Sequence, residues 1–182
     1  TRSFTNTLID SYEVGGQNWT PGIVEVFKAS YGYDPTPFLP AIFGVPVISR
    51  DRSERFLYDW RTNVSDLMAG NYFGHFAELC SKAGLASAIE PYSGNFDFIA
   101  AGRRASAPMG EFWVPSPHRP TEDARFFMKM ASSAAHVYGK RIACGEGFTS
   151  IGPHWNDVLW SSQKPTFDHE ACAGLNLVYW HA

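Results

Sequence analysis

Five short runs of β-forming residues recur along the chain, with helical or irregular stretches between them, and this alternation is the tightest constraint on its fold. The runs are Phe4 to Glu13, Leu85 to Glu90, Ala105 to Trp113, Arg141 to Cys144, and Leu175 to His181. Pro108 weakens the third, because proline has no N–H to give a central ladder. Between the runs lie patterns of helical period. Thr20 and Pro21 suit a helix start, Val24, Phe27 and Tyr31 share a face, and Gly32 stops it. The longest pattern opens with capping-box spacing at Asp51 and Glu54, runs through Phe56, Trp60, Val64 and Leu67 to Cys80, and ends at Gly84. Thr121 suits another cap, with Glu122 and Asp123 in the first turn, before Phe126, Phe127, Met130, Ala134 and Val137. A last helix is expected near residues 165–173, and residues 33–50, with four prolines, should be irregular. Strands alternating with helices predict a parallel α/β sheet with crossover connections. Functional groups in such a sheet gather beyond the C-terminal ends of the strands.

Four of those runs carry a glutamate at or near that end: Glu13, Glu90, Glu111 and Glu146, out of nine in the chain. Glu146 is set between Gly145 and Gly147, a pair that would let the backbone turn sharply after the fourth strand. Carboxylates converging in one mouth repel each other, so some must be protonated, paired or bridged by a cation. Glycoside hydrolysis uses such a set: one acid protonates the leaving oxygen while a second carboxylate activates water or attacks the sugar. Glu13, with Tyr12 and Trp19 close in sequence to desolvate it, suits the acid. Glu146, with glycine neighbours that leave room for water, suits the base. Glu90 and Glu111 suit a hard divalent cation such as Ca²⁺, or alternatively substrate hydroxyls or Arg103 and Arg104. Trp19, Tyr92, Trp113, Phe148 and Trp155 follow the strand ends and could form a platform for a sugar ring, while His181 ends the last strand toward the same mouth. Asp10, three residues before Glu13, is expected on the far side of the pleat in a structural role.

Composition narrows the partners. A chain of 182 residues that is 45% hydrophobic suits one domain, with no apolar run long enough to cross a membrane. The net charge is only −3, and no basic run interleaves with aromatics, which argues against nucleic acid. Cys80, Cys144 and Cys172 are far apart and read as small hydrophobes. The six histidines lack metal-ligand spacing, and no Gly-x-Ser-x-Gly nucleophile motif occurs.

Several segments, in order, resemble glycoside hydrolase family 106. They are Ile9-Asp-Ser-Tyr-Glu13 with Asn18-Trp-Thr-Pro21, Gly32-Tyr-Asp34 with Phe38-Leu-Pro40, and Ile89-Glu-Pro-Tyr92. Pro108-Met-Gly-Glu-Phe-Trp113, Ala134-Ala-His-Val-Tyr-Gly139 and Gly145-Glu-Gly-Phe-Thr149 complete the series. The resemblance implies a (β/α)₈ barrel, calcium-dependent cleavage of terminal α-L-rhamnose with inversion, and a periplasmic or extracellular setting. It also implies Glu13 as general acid on the fourth strand and Glu146 as general base on the seventh. A full barrel needs about 250 residues. Residues 1–182 are therefore expected to form one catalytic-type domain: a partial TIM-type barrel of about five parallel strands, the fourth to the eighth, with flanking helices. It would be an incomplete barrel or part of a larger enzyme, and a second copy could cover its open sheet edges. Two alternatives stay open: a non-catalytic carbohydrate-binding half-barrel, and a retaining glycosidase with its carboxyls closer together.

Overall fold

The computed structural model describes residues 3–114, 125–150 and 160–181. Its sheet has five strands: β1 (Asn6–Ile9), β2 (Ala86–Ile89), β3 (Ala107–Trp113), β4 (Cys144–Thr149) and β5 (Leu177–Trp180). They lie side by side in chain order, every pair parallel. The helices are α1 (Ile23–Tyr31), α2 (Arg50–Leu67), α3 (His75–Lys82), α4 (Phe98–Gly102), α5 (Arg125–Val137) and α6 (Trp160–Ala173). Sequential parallel order with helices in the crossovers is the arrangement of a (β/α) barrel, and these five strands make a curled half of one. The curl is visible in a single contact: Asn6 on β1 donates its side-chain amide to the Tyr179 hydroxyl on β5, across the concave face.

Alternation along each strand divides the packing into two layers. Ala88, Met109 and Cys144 meet on the concave side. Phe112, Met128, Ala131 and Leu175 form the layer between sheet and α5. A separate aromatic cluster of Phe27, Phe56 and Trp60 joins α1 to α2, and Phe73, Ile89 and Phe96 pack beneath β2. Pro108 sits inside β3 after all, paired with Ile89, in a ladder to β2 of only two residue pairs. Ser87 and Ser106 lengthen that ladder from their side chains: each hydroxyl accepts the other's backbone N–H, at 3.2 and 3.1 Å. That substitutes for donors the proline cannot supply.

Helix boundaries moved for local reasons. α1 starts after Gly22, whose φ of 81° makes a left-handed turn beyond Thr20 and Pro21, so Thr20 is not its cap. α2 is capped by Ser49, which accepts the Arg52 N–H at 3.2 Å, rather than by Asp51. The long helical pattern to Gly84 is two α-helices joined by a wider π-type turn, Met68–Gly74, and a 3₁₀ helix, Thr36–Phe43, orders part of the proline-rich excursion. The cap expected at Thr121, with Glu122 and Asp123, and the platform residue Trp155 lie outside the described residues.

Candidate active site

The strand ends converge on a cleft of about 250 Å³ lined by Asp10, Ser11, Glu13, Glu111, Trp113, Glu146, Thr149 and His181. Four of the eight are carboxylates. Glu111 and Glu146 are direct neighbours in register on β3 and β4. They lie within their strands rather than at the ends, because β4 is Cys144–Thr149 and not the expected Arg141–Cys144, with which it shares only Cys144. The flanking glycines serve packing, not a turn. A Cβ on Gly145 would come within 2.6 Å of the Met128 sulfur, and one on Gly147 within 2.7 Å of the Phe112 ring and of Val178. At positions 145 and 147 the outer face of β4 is thus pressed too closely to its neighbours for side chains, while the inner face carries Glu146.

β1 ends at Ile9, so its pleat does not extend to Glu13 and the expectation for Asp10 fails. Asp10 lies in the cleft, level with Glu90, whose N–H donates to the Ile9 carbonyl at 3.1 Å. The Ser11 N–H is shared between Asp10 Oδ1 at 2.7 Å and Glu90 Oε2 at 3.0 Å. Glu90 is completely buried, and its Oε1 has no hydrogen-bond donor among the described residues. Burial, reinforced by Asp10 and by the charge of Glu146, pushes its carboxyl up to about 9. Asp10, Glu90 and Glu146 each present a carboxylate oxygen, and these oxygens lie within 4.8 Å of one another.

Glu111 is raised too, first by burial and then by the Glu146 charge, against the pull of a hydrogen bond from Tyr92. The Tyr92 hydroxyl donates to Glu111 Oε2 at 3.3 Å; burial and the carboxylates around it push that phenol far above its ordinary range, so it stays a donor. Glu146 Oε1 accepts the Thr149 hydroxyl at 3.1 Å and faces His181 Nε2 at 3.7 Å. Glu13 is exposed, its Oε1 held by the Ser11 hydroxyl at 2.9 Å. Its expected aromatic neighbours are engaged elsewhere: Tyr12 packs edge-on against Tyr72 and Phe96, and Trp19 stacks on Trp60.

Of the residues singled out from sequence, Glu13, Glu111, Glu146, Trp113 and His181 therefore share the cleft. Glu90 and Tyr92 are buried in its floor, Tyr92 with its ring stacked on Phe127 at 4.2 Å. Phe148 instead packs on the outer side, between Phe112 and Trp180, and Trp19 lies away with α2. Arg103 lies over the Tyr138 ring and Arg104 runs beside Gly74, so neither lines the cleft. Asp10, Ser11 and Thr149 are the cleft residues that sequence reasoning missed. For Asp10 the expected first strand is too long: β1 ends at Ile9, so Asp10 follows it as Glu90 follows β2. Thr149 is not singled out, because the fourth run is expected to end at Cys144, five residues before it.

A family model described as alpha-L-rhamnosidase matches residues 1–182. A protein of Formosa agariphila, provisionally named a beta-glucuronidase, is 45% identical over 147 residues, covering 81% of this chain and 12% of that protein. A solved rhamnosidase structure from Novosphingobium sp. PP1Y superposes with a TM-score of 0.84 at 33% identity, covering 98% of this chain and 17% of that one. The chain thus spans less than a fifth of the length of either relative.

Proposed function

The chain belongs to glycoside hydrolase family 106, the alpha-L-rhamnosidases, and from that premise we propose that its cleft hydrolyses a terminal α-L-rhamnosyl bond by an inverting acid/base mechanism. The observation that carries this reading is the meeting of Glu111 on β3, Glu146 on β4 and Glu13 from the segment after β1 in one small cleft. In the proposed reaction Glu13 gives its proton to the glycosidic oxygen as the bond to the anomeric carbon breaks. Glu146 takes a proton from the water that attacks that carbon from the opposite face, so configuration inverts. Trp113 offers an apolar surface to the sugar, and His181, beside Glu146, lies within reach of a hydroxyl.

A neutral sugar suits the lining better than a uronic acid. Asp10, Glu13, Glu111 and Glu146 would repel a substrate carboxylate, and among the described lining residues there is neither lysine nor arginine. This favours a rhamnoside over a glucuronide.

The donor set also fits a hard divalent cation. Calcium takes carboxylate oxygens at about 2.3–2.6 Å, a span compatible with oxygens no more than 4.8 Å apart. The orphaned, buried Glu90 Oε1 is the kind of atom such an ion would satisfy. Asp10 and Glu90, with an oxygen of Glu146, would hold it, in place of the Glu90 and Glu111 pair expected from sequence. Bound there, the cation would supply positive charge and coordination positions for sugar hydroxyls.

Turnover of an aryl α-L-rhamnoside, followed by proton NMR of the first sugar released, tests the reading. Glu13→Gln and Glu146→Gln should each reduce kcat by at least about 10³-fold with the fold intact, and the first product should be the β anomer. An α anomer would point to retention. Glu111→Gln is an informative companion, because Glu111 is the cleft-lining carboxyl whose proton affinity burial raises above the ordinary carboxylate range. Should Glu111→Gln be inactive and Glu13→Gln active, the acid role moves to Glu111. Sugar binding without turnover would leave a carbohydrate-binding half-barrel.

A further inference from the structure

Regular alternation on β4 would turn Cys144, Glu146 and Phe148 inward and Gly145, Gly147 and Thr149 outward. The first four residues obey. Cys144 packs on the concave side and Glu146 enters the cleft, while positions 145 and 147 face Met128, Leu175 and Phe112 in the helix layer. The last two are exchanged. Phe148 packs with the outer layer and Thr149 enters the cleft.

The backbone shows how. Phe148 has a φ of 65°, in the left-handed region that a bulky aromatic rarely occupies. Between Glu111 and Trp113 on β3 the facing strand advances from Glu146 to Thr149, so β4 holds one residue more than its partner. That is a β-bulge, a device that re-aims side chains near active sites. The conformation is held from outside: the Phe148 ring stacks on Trp180 at 4.3 Å and meets Phe112 edge-on at 5.1 Å. It is held from inside by the Val114 N–H, which donates to the Thr149 carbonyl at 3.0 Å.

We propose that the bulge at Phe148 exists to deliver Thr149 as a positioning residue for Glu146, its hydroxyl orienting the carboxylate that acts on water. This rests on the reading of Glu146 as general base. The Thr149 hydroxyl donates to Glu146 Oε1, and His181 Nε2 stands 3.7 Å from the same oxygen. The Thr149 hydrogen bond fixes this oxygen and so biases the plane of its carboxylate and the direction of the other oxygen. Thr149 is almost fully buried, so water cannot readily take over from its hydroxyl. A one-residue change in the pleat thus turns a side chain that would face the helices into part of the catalytic arrangement.

Thr149→Val keeps the shape and removes the hydroxyl; Thr149→Ser keeps the hydroxyl. Hydrogen bonds to charged groups support a loss of about 10–100-fold in kcat for Thr149→Val, with KM changed less than about twofold and melting near wild type. Thr149→Ser should recover most of kcat. In crystals of Thr149→Val the Glu146 carboxylate should rotate or spread over several conformers, and in Thr149→Ser it should not. An unchanged carboxylate in Thr149→Val, or a wild-type kcat, overturns the proposal. Glu146→Gln, run in parallel, separates the two levels. If Glu146→Gln stays active, the base assignment falls; if it is inactive while Thr149→Val matches wild type, only the positioning role falls. The crystallographic readout holds whatever the turnover.

Discussion

Glu90 is the residue whose chemistry is most altered by its place in the fold. In the unfolded chain it gives up its proton near 4.5; buried beside Asp10 and Glu146 it keeps the proton up to about 9. Between those limits the folded state binds the extra proton, so its contribution to stability is full below about pH 4.5 and is lost as pH rises through about 9. Urea or thermal melts in chelator should show stability falling from pH 5 to pH 9, and Glu90→Gln should flatten that slope. A cation replacing the proton must displace it, so added Ca²⁺ should stabilise more at pH 8 than at pH 5. An equal response at both would count against the carboxylate cluster as its site. Single residues were unevenly legible. Glu90, Glu111 and Glu146 announced themselves by following or closing β-forming runs. Trp19 and Phe148, equally suggestive as aromatics near strand ends, are placed by their partners Trp60 and Trp180, which no local pattern names.

β3 and β4 show why glycine was read correctly as important and wrongly in kind. Gly110, Gly145 and Gly147 have no left-handed φ; Gly110 and Gly145 mark places where α5 approaches the sheet backbone, and Gly147 one where side chains of β3 and β5 close over β4. A Cβ at Gly110 would stand 2.5 Å from the Phe127 carbonyl oxygen and 2.9 Å from the Met128 nitrogen, backbone atoms that cannot yield without moving α5. Gly110→Ala should cost about 1–3 kcal/mol as overpacking, lowering Tm by roughly 2–4 °C for each kcal/mol in a domain of this size. Gly70→Ala is the control: nothing lies within 4 Å of its added methyl, so Tm should hold or rise. If both variants melt like wild type, the close approach of α5 to β3 is wrong. The existence of the strands and most helices was legible because period and stop residues are local. Their ends were less so, because Ser49 in place of Asp51, and β4 running on through Glu146, depend on which hydrogen bonds and neighbours are available.

At the scale of the molecule, the half-barrel has two sheet edges, β1 and β5, and apolar side chains stand exposed along them: Phe4 at 71%, Leu8 at 37%, Leu177 at 40% and Trp180 at 68%. Open edges with apolar flanks recruit partners. Sedimentation of the isolated chain should therefore show association that grows with concentration, and a mass fixed at one chain across tens of micromolar would refute this. No helix among the described residues is long and apolar enough to cross a membrane. Local pattern was enough for the alternation of strand and helix, the parallel class of the sheet and the four glutamates gathered at its cleft, because periodicity, glycine stops and carboxylates at or near the ends of runs are properties of short segments. Tertiary structure alone decided that Asp10 joins Glu90 and Glu146, that Tyr12 and Trp19 leave Glu13 exposed, and that Thr149 reaches Glu146 across a bulge. Those outcomes turn on strand register and on which layer presses against which face. Both are set by contacts between residues far apart in the chain, and a shift of one residue sends a side chain to the other side of the sheet.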